Sequence, residues 1–239
     1  IVVPWDFNPV AEHALAHAVK ISRMVGNEIC LLHIVEPGIK SSVFNEKKAL
    51  LQHIVDKNSR EYNMPIAYQL YKGSIFTSIA EFVNENDASL VVMGTHGMKG
   101  MQKLTGSWAL KVIVKSKVPF IVVQDPPSGQ GRYHNIVFPV DFKKENKEKT
   151  KMAIYMGKYF DSKVHLLVTT PSDPRLKKKT KINLSFSIRF LIQNNIDYEI
   201  HEIQKGDFAQ QTIDFVQKIN ADLILIVTTK NITFADYVL

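Results

Sequence analysis

The chain has 239 residues, of which 45% are hydrophobic and 22% charged, a composition that fits one large or two small globular domains. No apolar run reaches the roughly 18 residues that cross a bilayer, and no signal peptide is recognisable. The sequence starts at Ile1 without Met, which predicts that the natural beginning of the chain is missing. The net charge of +7 is spread over both halves, which argues against nucleic acid as the partner, and the single cysteine, Cys30, predicts a reducing cytoplasm.

Strands and helices alternate through the first half of the chain. A β-branched strand at residues 1–3 ends at Pro4, and Asn8 is expected to cap a helix that ends at Gly26. The apolar run 29–35 is typical of a strand that is buried on both faces of a parallel sheet. The alternation continues with helix 47–60, strand 66–70, helix 75–84, strand 90–93, helix 107–115 and strand 120–123. This order predicts an α/β fold with right-handed crossovers.

The second half repeats the first. IVVPWDF at residues 1–7 resembles IVFPVDF at 136–142, and YKGSIFTSIAEFV at 71–83 resembles QKGDFAQQTIDFV at 204–216. We therefore expect two copies of one domain, 1–124 and 135–239, joined by a Pro- and Gly-containing linker at 125–134. Residues 95–123 follow Gly94 in the first copy, but only residues 228–239 follow the matching Val227. The second copy is therefore expected to lack its last helix and strand in this chain.

A glycine-rich stretch follows the fourth predicted strand of the first copy. In VVMGTHGMKGMQKLTGSWALKV, residues 91–112, several glycines precede Gly106-Ser107, which opens a helix. Glycine amides and a helix N-terminus both suit phosphate oxygens. Asp6 directly follows the first strand, and ligands of doubly wound sheets bind beyond the carboxyl ends of the strands where the strand order reverses. Asp6 and the glycine loop are therefore predicted to line one crevice, with Asp6 accepting hydrogen bonds from a ribose or an adenine.

Other interpretations of these residues stay open. Asp6 could cap the first helix, and His96 could be an acid–base group or could pack within its loop. His13 and His17 lie four residues apart and could chelate a metal, although no third ligand is apparent. A basic cluster is expected to be a solvated loop, with a polyanion-binding patch as the alternative: Lys177, Lys178, Lys179 and Lys181.

The sequence offers little for catalysis. No Gly-Lys-[Ser/Thr] follows the glycines at the spacing of a phosphate-binding Walker loop, and no carboxylate pair is evident. Phosphoryl transfer needs a positioned base and strong charge stabilisation. The chain is therefore not expected to be an enzyme, or to show more than slow ATP hydrolysis.

The motifs VPWDF, LLHIVEP and MGTHG followed by GS resemble those of the universal stress protein family, and the repeat resembles its tandem two-domain members. The resemblance implies two doubly wound parallel five-stranded sheets of strand order 3-2-1-4-5, with an adenine-nucleotide alpha-hydrolase-like fold. It also implies a cytoplasmic stress sensor or regulator that binds ATP in the first copy, with Mg²⁺ held mainly by the phosphates. The alternative is a stress-related scaffold that binds no nucleotide and acts by protein contacts.

The resemblance also implies a nucleotide site and a mode of assembly. The two copies would pair as a pseudo-dimer, and the apolar edge segment 120–123 would support a homodimer. The second copy keeps Asp141 but has Val227 and Lys230 in place of the first two glycines, so it is predicted to bind no nucleotide. Carried onto this sequence, the nucleotide-binding residues would be Pro4, Trp5, Asp6, Ile34, Met93, Gly94, Thr95, His96, Gly97, Gly106, Ser107 and Trp108.

Overall fold

The computed structural model describes residues 1–95, 105–127, 132–203 and 206–227, and in the helix that begins at Thr105 it describes side chains from Ala109 onward. These residues form two compact units, one on each side of residues 128–131. None of the described helices is long and apolar enough to cross a membrane.

The first unit is a parallel sheet of five strands in the order β3-β2-β1-β4-β5, as predicted. Strands β1 and β4 are neighbours through Val2 and Val91, and the strand order reverses between them. The elements are β1 (Val2–Pro4), α1 (Pro9–Val25), β2 (Ile29–Val35), α2 (Ser41–Tyr62), β3 (Ile66–Lys72), α3 (Ile75–Glu85), β4 (Val91–Gly94), α4 (Thr105–Ile113) and β5 (Phe120–Val123).

Local sequence signals explain how α1 starts and stops beside the reversal point. The Asn8 side chain accepts a hydrogen bond from the Val10 amide, and Pro9 occupies the first helical turn. Gly26 ends the helix with φ of 76°, a left-handed conformation that glycine adopts without steric cost. The predicted bounds of this helix are confirmed, whereas α2 begins earlier than the predicted residue 47.

The second unit repeats the arrangement with four strands among the described residues, in the order β8-β7-β6-β9. The register pairs Phe138 with Leu166, as it pairs Val3 with Leu31 in the first unit, so the 135-residue offset of the repeat holds in space. The elements are β6 (Asn135–Val140), α5 (Asn146–Phe160), β7 (Lys163–Thr169), α6 (Pro174–Gln193), β8 (Tyr198–Ile203), α7 (Phe208–Lys218) and β9 (Leu223–Ile224).

The prediction that the lysine cluster 177–181 forms a loop is wrong. These residues lie in the first half of α6, where the Asp173 side chain caps the helix by accepting a hydrogen bond from the Arg175 amide at 2.7 Å. Pro174 occupies the first helical turn. The Asp-Pro pair that suggested a loop is therefore a helix start signal.

Candidate functional site

A cavity of about 210 Å³ lies at the carboxyl ends of β1 and β4, where the strand order reverses. The strand ends that form one wall contribute Pro4, Trp5, Asp6, Leu32, His33, Ile34, Met93, Gly94 and Thr95. The helices around it contribute apolar side chains: Val10, Ala11, Ile75, Phe76, Ile79, Ala109 and Val112. The cavity is therefore mostly apolar, with a few polar groups at the ends of the strands.

The structure brings together the predicted residues of the first two strands and of the fourth. Pro4, Trp5, Asp6, Ile34, Met93, Gly94 and Thr95 all line the cavity. The predicted His96 and Gly97 lie outside the described residues. Gly106, Ser107 and Trp108 lie in the first turns of α4, and their side chains are outside the described part of the chain.

The helical wall was missed by the sequence analysis. Ile75 and Ile79 are four residues apart on α3, and Ala109 and Val112 are three apart on α4, so each pair lies on one helix face. That spacing also describes any helix that packs on a sheet. It therefore identifies a buried face without indicating that the face borders a cavity.

Asp6 is exposed at the mouth of the cavity, and its Oδ1 accepts a hydrogen bond from the Asn8 amide at 3.1 Å. The cap of α1 is Asn8 rather than Asp6, so the capping interpretation of Asp6 is wrong. Among the described residues, no second hydrogen bond to the Asp6 carboxylate is formed. A charged acceptor is thus held in a fixed turn at the edge of an apolar cavity.

His33 holds the chain that follows β1 in place. Its Nδ1 lies 2.7 Å from the Trp5 carbonyl oxygen, which can only accept, so Nδ1 carries the proton. Its Nε2 then accepts from the Lys47 ammonium at 3.2 Å. Burial lowers the pKa of His33 and the Lys47 charge lowers it further, against the opposing effects of the Trp5 carbonyl and Asp6. The ring is therefore neutral at neutral pH and positions the Trp5–Asp6 backbone.

Trp5 forms part of the cavity wall and is only 3% exposed. Its backbone is fixed because its amide donates to the Leu32 carbonyl at 2.8 Å. Within the described residues, its indole Nε1–H has no acceptor. A buried donor without a partner costs about 1–3 kcal/mol, so this side chain contributes to the wall through its apolar surface rather than through its N–H.

Gly94 has a packing role that is separate from any phosphate. A Cβ at this position would lie 2.5 Å from the carbonyl oxygen of Val10 and 2.8 Å from its carbonyl carbon. The first glycine of the loop therefore lets β4 approach the first turn of α1. This close approach closes the cavity on the side of helix α1.

The two histidines of α1 tie down the chain that follows β5. The His13 Nδ1 lies 2.8 Å from the Gln124 carbonyl oxygen, and the His17 Nε2 lies 3.1 Å from that of Asp125. A carbonyl only accepts, so both ring nitrogens donate. Among the described residues, no group of three metal-ligating side chains includes either histidine, so the metal-chelating interpretation of this pair is not supported.

The sequence profile described as the universal stress protein family matches residues 1–124, about half of the chain. The chain belongs to the universal stress protein family. Two universal stress proteins of Methanocaldococcus jannaschii are similar in sequence: one is 28% identical over 53% of this chain and 82% of its own length. The other is 23% identical over 52% of this chain and 93% of its own length.

A solved universal stress protein from Archaeoglobus fulgidus shares the fold over both units, with a TM-score of 0.74. It is 18% identical, and the match covers 93% of this chain and 84% of that one. A putative universal stress protein from Pseudomonas aeruginosa matches 99% of this chain and 84% of its own, with a TM-score of 0.62 and 15% identity. The universal stress protein fold therefore extends through the second unit.

Two polar side chains of α5 contact the carboxyl end of β6 in the second unit. At the 135-residue offset, Asn146 and Lys149 replace Ala11 and Ala14. The Asn146 Nδ2 donates to the Asp141 Oδ1, and the Lys149 ammonium donates to the Pro139 carbonyl. The Asp141 Oδ1 therefore accepts from a side chain as well as from the Lys143 amide, whereas Asp6 accepts only from the Asn8 amide among the described residues.

Proposed function

We propose that the first unit binds an adenine nucleotide and that the chain acts as a cytoplasmic stress sensor or regulator. The observation that supports this most is the cavity at the strand reversal, because it combines an apolar wall with Asp6 at its mouth. This combination suits a flat heterocycle joined to a sugar, since the apolar wall covers the ring and the carboxylate accepts from sugar hydroxyls.

The size of the cavity supports partial enclosure of the ligand. About 210 Å³ is less than the roughly 300 Å³ at the lower end of pockets that enclose whole ligands. We infer that the base and part of the ribose enter the cavity and that the phosphates extend past Gly94 and Thr95. The N-terminus of α4, which begins at Thr105, would then favour their negative charge.

The indole of Trp5 offers a reporter of binding, because Trp5 forms part of the cavity wall. Tryptophan emission should respond to binding, because Trp5 is one of only two tryptophans in the chain.

The second unit would serve as a structural partner without nucleotide. Asn146 and Lys149 occupy the positions where the first unit has Ala11 and Ala14, and Asp141 already accepts from Asn146. Binding would therefore be one nucleotide per chain. Mg²⁺ would accompany ATP through the phosphates, and we expect no more than slow hydrolysis.

Titration of the full chain with ATP and Mg²⁺, followed by tryptophan emission and by calorimetry, tests this proposal. We expect one site, with adenine nucleotides preferred over GTP in competition. Asp6→Ala should weaken ATP binding by about 10- to 100-fold, since a hydrogen bond to a charged group is worth about 1.5–3 kcal/mol. The matched control is Asp141→Ala, the same substitution in the second unit, which should leave ATP affinity within about twofold of the parent value.

Two outcomes would contradict the proposal. Absence of binding at millimolar ATP would favour the alternative, a scaffold that acts by protein contacts and whose crevice Trp5 helps to fill. Binding that Asp6→Ala leaves unchanged but Asp141→Ala abolishes would place the site in the second unit. Thermal unfolding of each variant, measured alongside, separates lost binding from lost folding.

A further inference from the structure

Two neighbouring strands of the second unit place two histidines and a glutamate together. Strands β7 and β8 are parallel neighbours, and their register sets His165 opposite Glu199 and Leu167 opposite His201. Glu199 and His201 are two residues apart on β8 and therefore lie on the same face of the sheet. Phe215 of α7 packs over both imidazoles, with ring centroids 6.1 Å from that of His165 and 4.6 Å from that of His201.

The distances among these side chains are close to those in a mononuclear metal site. One ligand atom from each of the three residues lies within 4.8 Å of the other two. The His165 Nδ1 and the His201 Nε2 are 3.1 Å apart; the first lies 4.0 Å from the Glu199 Oε2 and the second lies 3.9 Å from the Glu199 Oε1. Ligand atoms about 2.0–2.2 Å from a tetrahedral zinc ion are about 3.3–3.6 Å apart. The two nitrogens are therefore nearly in place.

The carboxylate must move by about 1 Å to bring one oxygen to that distance from both nitrogens, since a shared oxygen lies within 4.8 Å of each of them. The Glu199 side chain is 50% exposed, so rotation about its side-chain bonds can supply this movement. The His165 side chain, in contrast, is 8% exposed and is held by the strand core. The cluster therefore combines a fixed imidazole with an adjustable carboxylate.

The tautomer of His165 is set from outside the cluster. Its Nε2 lies 3.1 Å from the Asn135 Oδ1, which can only accept, so Nε2 carries the proton and Nδ1 presents a lone pair to His201 and Glu199. A metal-binding histidine is characteristically oriented by such a hydrogen bond from its second nitrogen. Without metal, the His201 Nε2–H donates to this lone pair. When a metal binds to the His201 Nε2, that proton moves to Nδ1 of the same ring through solvent.

Lys163 competes with a metal for the carboxylate. Its ammonium lies 2.9 Å from the Glu199 Oε2, and its side chain is 39% exposed. A metal ion must displace this ammonium or bind through Oε1.

We propose that His165, Glu199 and His201 bind a divalent transition-metal ion of the zinc class. Imidazole nitrogens with one carboxylate suit zinc, nickel, cobalt and iron better than calcium or magnesium. Three protein ligands leave a fourth position for water or for an external ligand. The site lies wholly in the second unit and is independent of the proposed nucleotide cavity.

Zinc titration of the full chain after chelator treatment, by calorimetry, tests the site, with cobalt as a spectroscopic probe. We expect one zinc per chain and the visible absorption of cobalt bound to nitrogen and oxygen ligands. His201→Ala should weaken zinc binding by at least about 100-fold. His53→Ala, which removes an exposed histidine of α2, is the matched control and should leave the affinity unchanged.

Lys163→Met distinguishes a metal site from a purely structural polar cluster. Removal of the competing ammonium should tighten zinc binding by up to about fivefold. A cluster with no metal function would give neither this gain nor the cobalt spectrum. The proposal is overturned if the parent chain binds no zinc at micromolar concentration, if His201→Ala loses no more affinity than His53→Ala, or if Lys163→Met weakens binding.

Discussion

The buried lysine of the second unit gives the sharpest stability prediction. Lys149 lies on α5 and is 8% exposed, and its ammonium donates to the Pro139 carbonyl and lies 4.9 Å from the centroid of the Phe138 ring. Burial lowers its pKa from 10.5 to about 8, against the opposing attraction of Asp141. The folded chain therefore holds this proton less tightly than the unfolded chain.

The consequence for stability follows from proton linkage. Between pH 8 and 10.5 the unfolded chain binds more protons at Lys149, so the free energy of unfolding rises with pH across this window. Below pH 8 both states are charged and the full cost of burying the charge is present. The shift corresponds to about 3 kcal/mol at 1.36 kcal/mol for each pKa unit.

Replacement of Lys149 by Met should therefore stabilise the chain at neutral pH. The variant avoids the roughly 3 kcal/mol of charge burial but loses a hydrogen bond worth about 1 kcal/mol, so we expect a net gain of about 1–2 kcal/mol at pH 7. The gain should shrink as pH rises toward 10. The methionine side chain is unbranched and similar in length, which limits the packing change.

Differential scanning calorimetry of both proteins from pH 7 to 10 measures this difference. Lys151→Met, on an exposed position of the same helix, is the control and should change stability by less than about 0.5 kcal/mol. Other groups titrate in this range, but they contribute equally to the parent and to the variant. The reasoning is refuted if Lys149→Met is less stable than the parent at pH 7, or if the difference between them stays constant up to pH 10.

Three further predictions concern the first unit. Gly94→Ala should cost about 1–3 kcal/mol in urea unfolding, because its Cβ would lie 2.5 Å from the Val10 carbonyl oxygen; an unchanged urea midpoint would contradict this packing role. Burial lowers the pKa of His17 in the folded chain. Just below pH 6.5 the unfolded chain therefore binds more protons at His17 than the folded chain does, so the free energy of unfolding falls as the pH drops through that range. His17→Leu removes the hydrogen bond to the Asp125 carbonyl and should therefore be about 1 kcal/mol less stable than the parent at pH 7. Its stability should fall less than that of the parent as the pH drops below 6.5. Thermal melts that show an equal fall for the two proteins would argue against this role of His17. Val122 is 44% exposed on the edge strand β5 and should support self-association of the chain. Light scattering should therefore find monomers of Val122→Lys. Dimers of this variant would exclude the β5 edge as the dimer interface.

The alternation of elements and the internal repeat could be predicted because both depend on local sequence. Asn8, Pro9 and Gly26 specify the ends of α1 by capping and backbone conformation, which require no distant contact. The family resemblance then supplied the strand order, which the structure confirms for the first sheet. The lysine cluster of α6 was misread because Asp173 and Pro174 are as common in loops as at helix starts.

The cavity could be predicted only in part. Asp6, Met93, Gly94 and Thr95 follow the carboxyl ends of β1 and β4, a position that the fold class associates with ligands. The walls from α3 and α4 could not be assigned, since an apolar helix face has the same spacing whether it borders a cavity or a packed core. The role of Gly94 against Val10 likewise depends on a contact between residues far apart in the chain.

The amino-acid sequence by itself determined that this protein is two copies of one α/β unit. It also determined that Asp6 and the glycine loop belong to the first copy. Both could be recognised because repeats, caps and strand ends are local patterns in the sequence. Only the tertiary structure decided what surrounds them. It placed Asn146 and Lys149 against the carboxyl end of β6, and it brought His165 beside Glu199 and His201. Each of these arrangements depends on strand register and helix packing between distant segments, and neither leaves a periodicity in the sequence.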